Sequence, residues 1–287
     1  MFHMPLFFII SGYLWNTQKI ANIPFDNFAK KIFKNYIIPY FKICAVCFVL
    51  FKLPLGIWKY GVSMDLVYYY SKYLWGAMVY SRGTVEWLPN CSPVWFLTCL
   101  FCAEVIFYFI MKSRKPYIYV VIVGFLGYIT SSIGKYFPWN IDNAFSAVPL
   151  LYIGVLIRQY WDYISSKWNL LIMLPLAVAI VVYGIKGVDF DGNHYENMMA
   201  MYLQSTLITL AILVLFHSYV KPNGGGIFCL FAKNTIILFG YNYAINSVVS
   251  RIPGFHNNWL MAIGVVIAGA ILVITLNNNQ KLKRYLV

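Results

Sequence analysis

His3 and Glu104 are the ionisable side chains most out of place in this sequence. His3 stands in Phe2-His3-Met4-Pro5-Leu6-Phe7-Phe8-Ile9-Ile10-Ser11-Gly12-Tyr13-Leu14-Trp15, a run that is otherwise almost wholly apolar. Polar groups in surroundings that exclude water are unfavourable, so each is by default a candidate for function. A neutral imidazole near pH 7 can take a proton from a hydroxyl. Glu104 lies eleven residues after Pro93, well inside an apolar stretch of membrane-spanning length. Such a carboxyl can accept a proton or orient a histidine; equally, it can join two helices as a neutral hydrogen-bonded group. Lys31 and Lys34, three residues apart in Lys30-Lys31-Ile32-Phe33-Lys34-Asn35-Tyr36-Ile37-Ile38-Pro39-Tyr40, share one face if the segment is helical. Two cations so placed can hold a phosphate as point charges. Taken alone, these residues fit an ordinary basic anchor beside a membrane better.

Other motifs carry less. Cys44/Cys47 and Cys99/Cys102 have the Cys-x-x-Cys spacing of zinc or redox sites, but both pairs sit in apolar stretches, which favours packing. Cys91 and Cys229 stand apart, and no metal site is expected. Asp189-Phe190-Asp191-Gly192-Asn193-His194-Tyr195-Glu196 starts like an oxygen-rich calcium loop but lacks its full spacing, so a solvated acidic turn able to meet a polar glycan is expected. Asp142, beside Asn140 and Asn143, fits a helix N-terminal cap.

The elements that must position these residues follow from composition. Apolar residues make up 61% of the chain and charged residues 11%, against roughly a quarter charged in soluble domains. Long uncharged windows recur down the chain, each near the ~20 residues that cross a hydrocarbon core. The expected fold is all-α, a polytopic transmembrane helix bundle forming a single membrane-embedded domain over 1–287. About nine spans are expected, near 2–15, 36–56, 93–112, 117–133, 142–158, 169–186, 199–218, 234–250 and 257–277. The net charge of +13 is spread over short loops rather than clustered on a groove, so nucleic acid is not an expected partner. Basic loops alternate with less basic ones: 16–35 sums to +3 and 187–198 to −3. By the positive-inside rule the carboxyl terminus is cytoplasmic and Met1 starts outside, in a multi-pass protein of the inner or plasma membrane.

Several of these stretches together resemble the integral membrane acyltransferase-3 family, the O-acyltransferases of bacterial polysaccharides. His3-Met4-Pro5-Leu6-Phe7-Phe8 followed by Ser11-Gly12-Tyr13-Leu14 is similar to that family's second transmembrane helix. Lys31-x-x-Lys34 ahead of Pro39-Tyr40 resembles its basic R-x-x-R element, with lysine keeping the charge and losing the bidentate fork. Trp95-Phe96-Leu97 after Ser92-Pro93, Trp139-Asn140-Ile141-Asp142 with Gly154, and Lys233-Asn234-Thr235-Ile236 resemble later segments, in the right order. The set leans toward sugar O-acetylases.

The resemblance implies transfer of an acyl group, acetyl above all, from acyl-CoA on the cytoplasmic side to a carbohydrate hydroxyl of a surface or lipid-linked glycan. Acyl-CoA is then a co-substrate rather than a resident cofactor. Lys31 and Lys34 would hold its phosphates, Trp95 would line the acyl or acceptor path, and His3 with Glu104 would be the ionisable pair nearest the chemistry. It also implies a further helix before Met1, carrying the family's usual catalytic histidine, which has no counterpart among these residues. Two other classes compete: a transporter or flippase of lipid-linked sugars, and a structural membrane subunit. Transporters often betray internal repeats with Gly/Pro-broken helices at matching places, and Pro5, Pro93, Pro149 and Pro253 do not pair by position.

Overall fold

The computed structural model describes residues 3–83, 87–165, 173–180, 188–219, 227–252 and 258–279. In chain order its principal elements are α1 (His3–Leu14), α2 (Phe25–Tyr60), α3 (Met64–Trp75), α4 (Trp95–Met111), α5 (Pro116–Ile133) and α6 (Ile141–Gln159). A two-stranded hairpin follows, β1 (Val188–Asp189) antiparallel to β2 (His194–Tyr195), and then α7 (Met198–Tyr219), α8 (Thr235–Val249) and α9 (Asn258–Asn278). The expected all-α membrane protein is what the chain forms. Six helices among the described residues are long and apolar enough to cross a membrane, while Met4–Leu14 and Thr235–Val249 are shorter apolar helices. Of the expected 169–186 span only 173–180 is described, and it is helical.

α2 departs most from expectation. It runs unbroken for 36 residues, so at ~1.5 Å per residue it is far longer than a ~30 Å hydrocarbon core. Two π-helical turns widen it, Phe33–Ile37 and Phe48–Lys52, each ending two residues before a proline, Pro39 or Pro54. Proline has no N–H for the carbonyl four residues back and its ring presses on that turn, so one widened turn relieves both problems. The 57–92 stretch, expected as a loop, also contains α3 and the π-helical turn Gly76–Tyr80. Ser63 starts α3 as a cap, its hydroxyl accepting from Leu66 N.

Contacts define two compact units, each built from separate stretches: Met1–Lys30 with Cys99–Pro222, and Lys31–Thr98 with Asn223–Val287. In the first, α1 and α6 cross with their backbones touching. Gly12 lies against the Leu151 carbonyl, and Gly154 against the backbone of Ile9 and Tyr13. Small residues allow this approach, which is how helices associate where burial from water does not drive them together. Rings lock the 16–28 stretch beneath this crossing. Trp15 meets Phe28 and Phe107 edge-on, Phe28 stacks on Tyr108 at 4.7 Å, and the Tyr108 hydroxyl donates to the Ile23 carbonyl.

In the second unit the Tyr40 hydroxyl donates to the Ala77 carbonyl at 2.6 Å, and Gly76 lies against Trp87. Cys91 does not stand apart as expected: its sulfur lies 3.7 Å from that of Cys44, too far for a disulfide. All six cysteines are free thiols.

Candidate functional site

The amino-terminal end of α6 is where polar groups gather. Asn140, Asp142, Asn143 and Ser146 are all fully buried. Trp139 and Asn140 both adopt left-handed backbone conformations, with φ of 54° and 56°. Asparagine accepts this region and tryptophan does so rarely, so two such residues in succession mark backbone held in place by its surroundings. Asn140 is the N-cap by position but makes no side-chain capping bond, and Asp142 in the first turn is enclosed rather than at an exposed helix end. The simple capping role expected for Asp142 is therefore replaced by membership of a buried polar cluster.

The hairpin closes over this cluster, and here the expected solvated turn is corrected. Asp189 and Glu196 are exposed, but Phe190, Asp191 and Asn193 are buried. Phe190 stacks on Phe8 of α1 at 5.3 Å and meets Tyr195 edge-on, which draws the intervening turn inward. Asn193 takes φ 51° to complete the turn, while Asp189 Oδ1 accepts from Gly192 N. The Asn143 side-chain amide donates to the carbonyl of Asp191 and to Asn140 Oδ1, and the Tyr202 hydroxyl of α7 donates to the Ser146 carbonyl. Asn143 Oδ1, Ser146 Oγ, the Tyr195 hydroxyl and both side-chain polar atoms of Asn193 are buried without a hydrogen-bond partner. Burial pushes the Tyr195 phenol well above its ordinary range; the Ser146 hydroxyl opposes this, and nearby Tyr202, Cys99 and Asp142 reinforce it. Ser146 approaches Tyr195 outside good hydrogen-bonding geometry, so the phenol stays a neutral, unengaged donor.

Replacing Phe190 by alanine removes the anchor of this turn. A lost core aromatic destabilises by about 3–5 kcal/mol, so the variant should melt several degrees below the parent in a fluorescence-detected scan in detergent. An unchanged transition would mean that the hairpin is not held by this ring.

The residues singled out in the sequence divide between the two units. His3 and Glu104 belong to the first; Lys31, Lys34 and Trp95 belong to the second. His3 opens α1, and its side chain lies outside the described residues. Glu104 is 6% exposed, one turn before Phe107 and Tyr108, both buried, so α4 does place a carboxyl in an apolar interior. Lys31 and Lys34 are exposed, and Lys34 lies on the first π-helical turn of α2. Trp95 is 3% exposed; its carbonyl accepts from Thr98 Oγ1, which also pairs with Ser81 Oγ.

At its other end, sixteen residues and so about 24 Å from Asp142, α6 presents Arg158 to a cavity of about 560 Å³. Trp15, Asn16, Gln18, Tyr152 and Gln159 also line it. Arg158 Nη1 donates to the carbonyls of Tyr13 and Trp15, which caps the carboxyl end of α1 with a cation. Sequence reasoning missed this cavity, the inward-turned Asp191 and Asn193, and Arg82, which is fully buried. Only Asn140-Ile141-Asp142-Asn143, an unusually polar tetrad at the edge of an apolar span, hinted at the cluster. Among the described residues no group of three or more His, Cys, Asp or Glu side chains is placed to hold a metal ion.

Apolar spanning helices enclosing ionisable and hydrogen-bonding groups define a multi-pass membrane protein with an interior polar site. The chain belongs to the acyltransferase-3 family: the family model described as an acyltransferase domain matches residues 1–277. The resemblance seen in the separate motifs thus holds over nearly the whole length. No curated protein and no solved structure matches it significantly.

Proposed function

We propose that this acyltransferase moves an acyl group, most simply acetyl, from acyl-CoA to a carbohydrate hydroxyl of a surface or lipid-linked glycan. The observation that carries this reading is α6, which bears an enclosed polar cluster at one end and an open, Arg158-lined cavity at the other. Loop charges assign the Arg158 end to the cytoplasm, where acyl-CoA is found, and the Asn140 end to the outside, where glycans are displayed. The buried amide and hydroxyl groups of Asn143, Ser146, Asn193 and Tyr195 give this end the hydrogen-bonding character that recognition of a hydroxyl-rich ligand requires. The family assignment lends no support to the transport alternative.

In this reading His3 and Glu104 are the acid–base pair. One takes the proton of the acceptor hydroxyl as its oxygen attacks the thioester carbonyl carbon. A C–O ester bond forms, the C–S bond breaks, and CoA leaves as the thiol with a proton returned by the pair. Lys31 and Lys34 neutralise phosphates of the donor, and Trp95 borders the path of the acyl group or acceptor.

The test is purified protein in lipid nanodiscs supplied with radiolabelled acetyl-CoA and a panel of glycan acceptors. Acceptor-dependent transfer of label is expected, and absence of both transfer and acyl-CoA binding would overturn the proposal. Lys31→Ala/Lys34→Ala should raise the apparent KM for acyl-CoA roughly tenfold or more with kcat nearly unchanged, since two cationic contacts are lost. An unaltered KM would remove the phosphate role from these lysines.

A further inference from the structure

The second unit holds two adjoining cavities that the acyl-transfer reading does not use. One, of about 300 Å³, lies between α2, α8 and α9 and exposes only apolar surface. The other, of about 280 Å³, is lined by Lys52, Arg251, Asn90 and Trp58 among others, and no carboxylate lines it. Leu50 and Phe51 border both, so an apolar groove runs directly into a cationic pocket. The Lys52 ammonium also lies 4.6 Å over the Tyr73 ring, which restrains it.

Depth along α2 assigns these cavities to layers of the bilayer. Lys34 and Lys52 are eighteen residues apart, hence about 27 Å along the helix, close to the ~30 Å of a hydrocarbon core. With Lys34 at one headgroup layer, Lys52 stands at the other. Arg251 follows the end of α8 at the same layer, and the groove residues Val46 and Ala244 precede the two cations toward the hydrocarbon interior. A groove open to lipid would accept any chain. Two cations at its polar end add a requirement for negative charge. Trp58, 84% exposed beside them, is the amphipathic ring expected at an interface.

We propose that the groove and pocket bind one anionic phospholipid of the leaflet opposite Lys34, with an acyl chain between α2, α8 and α9 and the phosphate between Lys52 and Arg251. The proposal does not depend on the acyl-transfer reading and is tested by binding alone.

The whole purified protein, delipidated in a mild detergent, is titrated with phosphatidylglycerol and with phosphatidylcholine and followed by native mass spectrometry. One phosphatidylglycerol should be retained in preference to phosphatidylcholine, and Lys52→Ala/Arg251→Ala should weaken it roughly tenfold. Lys59→Ala, a cation on the same helix outside the pocket, should leave binding unchanged. Should the double alanine variant not fold, Lys52→Gln/Arg251→Gln carries the same expectation, and Ala244→Phe, which fills the groove, should also weaken binding. Equal retention of the two lipids, or full binding by the charge-neutral variants, would overturn the site. Displacement of phosphatidylglycerol by a much lower concentration of a polyprenyl phosphate would overturn the assignment to a bulk phospholipid and mark a carrier-lipid site instead.

Discussion

Replacing Gly154 by leucine should abolish the folded state. A Cβ at Gly154 falls onto the Ile9 carbonyl oxygen and within 2.5 Å of Tyr13 N, while one at Gly12 falls onto the Leu151 carbonyl. These obstacles are backbone atoms of the facing helix, so no rotamer change relieves them and α1 must separate from α6. Overpacking that side chains can absorb costs about 1–3 kcal/mol. Separation of two helices packed backbone to backbone exceeds that and approaches the ~5–15 kcal/mol that is the whole stability of a typical protein. It would also dismantle the Phe8–Phe190 stack and the Arg158 bonds to the end of α1. Size-exclusion chromatography in detergent should show aggregated Gly154→Leu and Gly12→Leu, and Gly154→Ala, which carries the same clashing Cβ, should aggregate with them. Gly269→Ala is the control, because its Cβ would meet only the end of the Leu238 side chain, at 3.2 Å. A monodisperse Gly154→Leu protein with the parent melting temperature would show that the crossing is not as close as described.

Glu104→Gln is expected to be the most damaging substitution that leaves the fold intact. Glutamine keeps the volume and hydrogen-bonding reach of the buried carboxyl but can neither hold nor deliver a proton at neutral pH. General acid–base groups contribute about 10²–10⁴-fold, so under the proposed acyl transfer kcat should fall within that range while the apparent KM for acyl-CoA stays near the parent value. Glu104→Asp, which retains an acid on a shorter stem, should recover part of the rate. A purely structural carboxyl would give another pattern: Glu104→Gln would turn over within a few-fold of the parent, and Glu104→Asp would lower the melting temperature. Initial rates of label transfer, taken beside melting curves of the same preparations, separate the two outcomes.

The same residues show how far the sequence goes. Hydropathy is summed along the chain, and lipid imposes its requirement on each helix almost independently of the others, since every spanning segment must satisfy its own backbone. That is why the apolar spans, the all-α class, the burial of Glu104 and the exposure of Lys31 and Lys34 were legible from one dimension. The order of short motifs from His3 through Lys233-Asn234 likewise pointed to the family that matches residues 1–277. Pro39 and Pro54 were visible too, but their effect on α2 is a matter of how a continuous helix absorbs a missing donor, and it appears only once the turn can widen.

Tertiary structure alone decided which polar residues are solvated. Asp191 and Asn193 look like any acidic turn until Phe190 finds Phe8, a partner 182 residues earlier in the chain, and pulls the turn inward. Cys91 meets Cys44, 47 residues earlier, and nothing in the residues beside Arg82 announces that it is buried. The division of His3 and Glu104 from Lys31, Lys34 and Trp95 into different compact units is also invisible in order or spacing. Composition and periodicity set the class of this protein because the bilayer acts on each segment separately. The interior polar site depends on packing between distant segments, and the backbone contact of Gly12 and Gly154 brings the α1 and α6 parts of it together.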